Sequence, residues 1–211
     1  MRTATQQAHT LSNDAGGAPL FLLLGSAPYV PEWLEGHKEI VDSRQTVVAA
    51  INNAWRLVPG RVDCWLFSQD YFMVSPCPPK TFEDWQAVWC PRFGFHSRGL
   101  EFPVWYDCPW GSGTMIANAL CHLINLQVLC CVPPAPIYVV GCDLQYPKDG
   151  PTHFYEGGTP DPLRFTDEQL TTMLFQIKRQ AVEFGVEIYV GQTVGPTKLP
   201  FDRKDPKQEQ K

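Results

Sequence analysis

The run from Leu20 to Leu24 constrains the fold of this chain most strongly. Its five residues are all apolar, and it ends in the small-residue turn Gly25-Ser26-Ala27-Pro28. An unbroken apolar run bounded by turn residues is typical of a strand buried on both faces, as in a parallel sheet. The pattern therefore predicts a buried strand at 20–24 that leads directly into a tight turn.

The turn after this strand has two interpretations. A glycine turn followed by a helix that starts near Pro28 would present free amides and the positive end of a helix dipole to an anionic group. The same residues would serve equally well as a plain strand-to-helix connection. The spacing is neither a dinucleotide fingerprint, whose second and third glycines are missing, nor a Walker loop.

Length and composition favour one globular domain. The chain has 211 residues, of which 44% are hydrophobic and 18% are charged, which is enough to bury a substantial core. The formal net charge of −5 gives no indication of nucleic-acid binding. Every apolar stretch is shorter than the roughly 20 residues that span a bilayer. The eight cysteines include no Cys-x-x-Cys pair, so no zinc site is indicated.

The order of elements predicts an α/β fold. Four further buried runs each end on small polar residues: 45–51, 62–67, 136–140 and 186–190. Helical patterns at 115–129 and 167–184 precede the last two runs. This alternation predicts a single domain at 18–195, built on a doubly wound, mainly parallel sheet.

The remaining segments are expected to lie outside that sheet. Residues 1–17 are polar and are predicted to be a mobile leader, not a signal peptide, which favours a cytoplasmic protein. An irregular insert rich in Pro and Trp is expected at 75–111, and an exposed, flexible charged tail at 196–211.

Two details of the helices can also be predicted. Thr166 and Gln169 form a capping-box pattern at the start of the last helix, and Gly185 is placed to end it. His122 lies within the apolar helix at 115–129 and is predicted to be a core histidine.

Candidate site residues follow from the strand ends, because open α/β sheets bind ligands at the carboxyl edge. Asn and Ser side chains can hydrogen-bond a base or ribose, and the Gly-Ser-Gly-Thr start of the helix at 115–129 is a second candidate anion site. For Thr114 the alternative is simply a good N-cap. The predicted nucleotide-binding residues are Gly25, Ser26, Ala27, Asn52, Asn53, Asp70, Ser112, Gly113, Thr114 and Gly141.

The order of these motifs resembles a family of bacterial sialyltransferases. Its members have a Gly-x-Gly-Pro-Ser turn after the first strand, an Asn-Gln after the second, a Thr-Ser-Gly helix start and a strand that ends in Gly-Ile-Asp. The chain is also similar to archaeal hydroxymethylpterin diphosphokinases and to uncharacterised phage-encoded glycosyltransferase-like proteins, over about residues 20–190. The residues that carry the resemblance are Gly25-Ser26-Ala27-Pro28, Asn52-Asn53, Ser112-Gly113-Thr114 and Gly141-Cys142-Asp143.

The resemblance implies a Rossmann-like domain, of a glycosyltransferase-A-like variant, that moves a sugar from a nucleotide-activated donor to an acceptor hydroxyl without a metal or other cofactor. It also implies a histidine base, for which His153 is the candidate, with Asp143 as a second catalytic residue and Tyr155 near the nucleotide. The chain departs from the family at one point. The family histidine lies much further beyond its Gly-Ile-Asp motif, after a lid that is largely absent here.

Two alternatives stay open at the level of sequence. A magnesium-dependent diphosphokinase or nucleotidyl enzyme on the same scaffold would use Asp70 and Asp143 as metal ligands. A nucleotide-binding module that has lost its chemistry would keep the fold alone. The implied partners are a nucleotide-sugar donor and an acceptor, with a homo-oligomer left open. A phage-encoded protein would act in the host cytoplasm.

Overall fold

The computed structural model describes residues 19–67, 75, 78–81, 83–84, 96–98, 114–129, 133–145, 153–155, 165–192 and 195–210. Seven strands lie within these ranges: β1 (Leu20–Leu24), β2 (Thr46–Ile51), β3 (Cys64–Phe67), β4 (His96–Arg98), β5 (Ile137–Val140), β6 (Ile188–Val190) and β7 (Asp202–Arg203). The α-helices are α1 (Val30–Gly36), α2 (Lys38–Asp42), α3 (Met115–Leu129) and α4 (Asp167–Glu183), and 3-10 helices span Asn52–Leu57 and Pro206–Gln210.

All seven strands belong to one sheet, in the order β4-β3-β2-β1-β5-β6-β7. Every neighbouring pair is parallel. The chain first builds from β1 outward to β4, then starts again beside β1 and builds from β5 to β7 in the other direction. The predicted α/β fold with a parallel sheet is therefore confirmed. The order in which strands are added changes direction between β1 and β5.

Both faces of the sheet are covered, which explains the unbroken apolar run of β1. Phe21 and Leu23 join a core cluster with α3 and α4 on one face. Leu22 and Leu24 join a second cluster with α1 and α2 on the other face. The connection from β1 to β2 contains α1 and α2, and the connection from β5 to β6 contains α4. The two connections run in opposite directions across the sheet, so crossovers of the same hand place their helices on opposite faces.

The predicted capping box starts α4. The backbone amide of Gln169 donates to Thr166 Oγ1 at 3.2 Å, and the backbone amide of Thr166 donates to Gln169 Oε1 at 2.9 Å. Each side chain thus satisfies an amide that has no partner within the helix. At the other end Gly185, with φ of +74°, reverses the chain.

The expectation of a flexible tail at 196–211 is wrong for the part of that segment that the structure describes. β7 pairs with β6, and the Leu199 and Phe201 side chains are each 6% exposed, packed into the core on the face of α3 and α4. The sequence signal for this packing is weak, because it consists of Leu199 and Phe201 alone and charged residues follow at once.

Two other expectations need correction. α1 begins at Val30, with Pro31 and not Pro28 in its first turn. Residues 96–98, inside the segment expected to be an irregular insert, form β4 and pair with β3. Across the described parts of the chain, no helix has the length and apolar character to cross a membrane.

Candidate functional site

The carboxyl ends of β1 and β5 define the candidate functional site. The two strands are neighbours, but the chain continues from them toward opposite edges of the sheet. Loops that leave adjacent strands in opposite directions open a crevice, and open α/β sheets bind ligands there. Gly25 follows β1 and Gly141 follows β5, so two predicted site residues meet at this point.

Backbone hydrogen bonds join the two turns directly. The Gly25 amide donates to the Val140 carbonyl at 2.7 Å, and the Ala27 amide donates to the Gly141 carbonyl at 3.2 Å. The fold itself thus engages both amides. The expectation that the amides of Gly25 and Ala27 hold an anion is not supported, because these donors already have partners.

Close packing accounts for both glycines. A Cβ atom at Gly25 would lie 2.2 Å from the Gly141 carbonyl oxygen, and one at Gly141 would lie 2.4 Å from Val30 Cγ2. Gly141 also has φ of +80°, a conformation that glycine adopts without the steric cost other residues meet. The glycines are therefore required by the approach of the two turns, whether or not a ligand binds.

Asp143 connects four segments at this edge. Asp143 is buried, with 9% of its surface exposed. Gln192 Nε2 donates to Asp143 Oδ1 at 2.7 Å, and the hydroxyls of Tyr29 and Thr197 also hydrogen-bond the carboxylate. The Lys198 amide donates to the Asp143 carbonyl at 3.0 Å. One carboxylate thus links the loops after β1, β5 and β6 to the segment that precedes β7.

The electrostatics of this network follow from burial. Burial raises the pKa of Asp143, while its hydrogen bonds and the charge of Arg203 oppose that rise. Burial, and then the Asp143 charge, raises the pKa of Tyr29, so Tyr29 is a neutral hydroxyl; it also accepts from the Gly141 amide at 2.9 Å. Burial likewise raises the pKa of the Cys142 thiol, which keeps that thiol protonated at neutral pH.

The predicted catalytic segment lies against the turn after β1. The Phe154 amide donates to the Ser26 carbonyl at 3.0 Å. The rings of His153 and Tyr155 have centroids 4.9 Å apart, and the Phe154 ring meets the Tyr155 ring edge-on at 5.0 Å. The structure therefore brings His153 and Tyr155 to the same edge as Ser26, and all three residues of the segment are half-buried.

The two asparagines after β2 have different roles. Asn53 is buried, and its Oδ1 accepts a hydrogen bond from the Ser75 hydroxyl at 2.8 Å. Asn52 is half-exposed, and its carbonyl accepts from Trp65 Nε1 at 2.8 Å. Asn53 is thus engaged within the fold and its nucleotide-binding role stays a prediction, whereas Asn52 presents surface at the carboxyl edge.

Backbone strain is concentrated at this edge. Within the described ranges, Asn52 (φ +47°) and Leu144 (φ +56°) are the non-glycine residues with positive φ. Each lies just beyond the carboxyl end of a strand, β2 and β5 respectively. A left-handed conformation costs an L-residue roughly 1–2 kcal/mol, and residues of this kind cluster at functional sites. Their position agrees with the choice of this edge as the candidate site.

The start of α3 has a structural explanation. Thr114 Oγ1 accepts from the Ala117 amide at 3.3 Å, so Thr114 serves as the N-cap of the helix. The other predicted residues of this motif, Ser112 and Gly113, lie outside the described residues, as does Asp70. Their roles stay predictions.

Sequence reasoning missed most of the partners of Asp143. The Tyr29 hydroxyl accepts a hydrogen bond from the Gly141 amide, which lies 112 residues further along the chain. Thr197 and Arg203 belong to the segment predicted to be a tail. A signal existed for Gln192, which follows a glycine at the carboxyl end of β6 and lies 49 residues from Asp143. The others could be found only once the order of strands was known.

In the part of the chain that the structure covers, no group of three or more His, Cys, Asp or Glu side chains could hold a metal ion. Comparison of the chain with protein-family models, with curated proteins and with solved structures found no match. The resemblance to the bacterial sialyltransferases therefore stays a prediction, and the function is argued from the residues of this chain.

Proposed function

We propose that this protein is a metal-independent glycosyltransferase with a Rossmann-like domain. It would bind a nucleotide-activated sugar where the chain reverses, between β1 and β5, and transfer the sugar to an acceptor hydroxyl. His153 would be the general base. The observation that carries the proposal is the contact between the Phe154 amide and the Ser26 carbonyl at 3.0 Å, which holds a histidine-containing segment at the edge where such sheets bind ligands.

The donor would be held mainly by side chains. Ser26, Asn52 and Tyr155 offer hydroxyl and amide groups suited to the hydroxyls of a ribose or hexose. Tyr155 also offers a ring against which a base or sugar can pack. The backbone amides of Gly25 and Ala27 donate to carbonyls within the fold. The turn after β1 would therefore bind the donor through its shape and the Ser26 hydroxyl, and not through these two amides.

The reaction would proceed by one displacement. His153 would take the proton from the acceptor hydroxyl as its oxygen forms a bond to the anomeric carbon. The bond between that carbon and the nucleotide's phosphate oxygen would break, and the nucleotide would leave with the bonding electrons. General-base assistance of this kind typically contributes a factor of about 10²–10⁴ in rate.

Asp143 has a supporting role in this proposal. Its carboxylate is engaged by Tyr29, Gln192 and Thr197, so it is suited to fixing the surrounding loops. The magnesium-dependent alternative would need that carboxylate as a metal ligand beside Asp70. The hydrogen bonds from three donors compete with such a role, and for that reason we prefer the metal-independent reaction.

The first test identifies the donor. A panel of nucleotides and nucleotide sugars, each with magnesium and with chelator, is screened by thermal shift. A ligand at about 100 times its Kd stabilises the folded state by roughly 2.7 kcal/mol, which raises the Tm of a chain of this size by about 5–10 °C. A shift with one nucleotide sugar that survives the chelator supports the proposal. A shift that requires a nucleoside triphosphate and magnesium contradicts it.

The second test examines the base. His153→Gln keeps a polar side chain of similar length but cannot take a proton near neutral pH, so we expect a loss of about 10²–10⁴ in turnover of the identified donor. The thermal shift by that donor should be unchanged. Tyr155→Phe is the comparison variant: it removes a hydroxyl proposed to bind the donor but no general base, so turnover at saturating donor should stay within about tenfold of wild type. Wild-type turnover by H153Q would refute the assignment of His153.

A further inference from the structure

The segment before and within β7 converges on Asp143. Thr197 hydrogen-bonds the carboxylate, and the Lys198 amide donates to the Asp143 carbonyl at 3.0 Å. The segment is anchored on the C-terminal side of these contacts, because Leu199 and Phe201 are buried in the core and the amide of Lys204 donates to the Val190 carbonyl at 3.1 Å. Asp143 is thus contacted by a segment that comes from more than 50 residues later in the chain.

Arg203 joins this segment to the loop after β6. Its guanidinium donates to the Gln192 carbonyl at 3.3 Å, and its second terminal nitrogen donates to the Gly195 carbonyl. The side-chain amide of Gln192 in turn donates to Asp143 Oδ1 at 2.7 Å. A planar guanidinium can bridge two carbonyls, whereas an ammonium group acts as a single point charge. The side chain of Arg203 therefore holds the backbone of Gln192, whose side chain donates to the carboxylate.

We propose that Arg203 is a positioning residue of the candidate site: by donating to the carbonyls of Gln192 and Gly195, it orients Gln192 toward Asp143 and so fixes the carboxyl end of β5. The effect of Arg203 on Asp143 can be measured without any substrate. An effect of Arg203 on the rate of sugar transfer would follow only if the proposed function holds. The residue acts through Gln192, and no contact of its own with a substrate is needed.

The charges around Asp143 support this arrangement. Tyr29 from the loop after β1 and Cys142 from its own loop are both neutral at physiological pH, since burial raises the pKa of each. Among the described residues, Arg203 supplies a positive charge that favours the ionised carboxylate. Loss of Arg203 would remove that charge and loosen the Gln192 hydrogen bond, and both effects raise the pKa of Asp143.

The test measures Asp143 directly in the free protein. The carboxyl resonance of Asp143, assigned with Asp143→Asn, is titrated by ¹³C NMR, and exchange of the Lys198 amide reports whether the segment stays docked. In Arg203→Ala we expect the pKa of Asp143 to rise and the Lys198 amide to exchange at least about tenfold faster, as loss of one charge-assisted hydrogen bond implies. The control is Asp202→Asn, the neighbouring residue in β7, whose 81% exposed carboxylate pairs with Lys178.

Arg203→Lys separates orientation from charge and serves as the main test if R203A does not fold. It keeps the positive charge but cannot bridge both carbonyls, so the Lys198 amide should still exchange faster, with a smaller rise in the pKa of Asp143. Wild-type exchange and pKa in R203K, or in a folded R203A, would overturn the proposal. If no sugar donor is turned over by the wild type, the proposed function fails, while the titration still decides the role of Arg203.

Discussion

Substitution of Gly25 by alanine tests how tightly the turn after β1 packs against the turn after β5. A Cβ atom there would lie 2.2 Å from the Gly141 carbonyl oxygen, 2.4 Å from Cys142 Sγ and 2.6 Å from the Gly141 carbonyl carbon. Two of these three atoms are backbone, so no side-chain rotation relieves the clash. The loops after β1 and β5 must separate to accommodate one methyl group.

The cost of that separation can be estimated from its parts. Overpacking a well-packed site typically costs 1–3 kcal/mol. Separation also strains the bonds from the Gly25 amide to Val140 and from the Ala27 amide to Gly141, each worth about 1 kcal/mol net. We therefore expect Gly25→Ala to lower the free energy of unfolding by about 3–5 kcal/mol. For a chain of this size that lowers Tm by about 10 °C.

Two other glycines provide matched controls in the same urea-denaturation assay. Gly36 is exposed at the end of α1, and a Cβ there meets no atom within 4 Å, so Gly36→Ala should stabilise by about 0.5–1 kcal/mol. Gly60 also has open space but a φ of +75°, so Gly60→Ala should cost about 1 kcal/mol from strain alone. If G25A unfolds within about 1 kcal/mol of wild type, the packing argument is refuted.

Two further predictions concern the helices. Thr166→Ala removes the cap of α4 and should cost about 1 kcal/mol in urea denaturation, whereas Gln176→Ala, on the exposed side of the same helix, should change stability by less than about 0.5 kcal/mol; equal effects would contradict the role of the cap. Burial lowers the pKa of His122 from its ordinary 6.5 to about 4. Because the unfolded chain binds this proton more readily, stability should be lost as pH falls from 6.5 to 4, by about 2–3 kcal/mol. His122→Gln should remove that part of the pH dependence, and an unchanged profile would refute the assignment.

The core of this fold could be predicted because its signal is local. The run from Leu20 to Leu24 contains no polar residue, and burial on both faces of the sheet is what such a run requires. The cap at Thr166 and the chain reversal at Gly185 also depend on residues a few positions apart. Patterns of this kind survive in any tertiary arrangement that keeps the element.

The parts that the sequence did not predict depend on contacts between distant segments. β7 is two residues long and pairs at the edge of the sheet, and its stability comes from the burial of Leu199 and Phe201 beside it. Neither periodicity nor propensity is visible over so few residues. The partners of Asp143 were missed for the same reason, because Tyr29 and Arg203 reach it only after strands from opposite ends of the chain have become neighbours.

The structure also changes how the glycine turn should be interpreted. A turn with Gly, Ser and Ala at the end of a buried strand fits two arrangements, one that leaves its amides to a ligand and one that gives them to the sheet. Here the amides of Gly25 and Ala27 donate to the carbonyls of Val140 and Gly141. These acceptors, the last residue of β5 and the residue after it, lie more than 100 residues further along the chain. Only the strand order decides between the two arrangements. If a ligand binds at this edge, its recognition must therefore depend largely on side chains from the surrounding loops, and such side chains can change without altering the packing between β1 and β5.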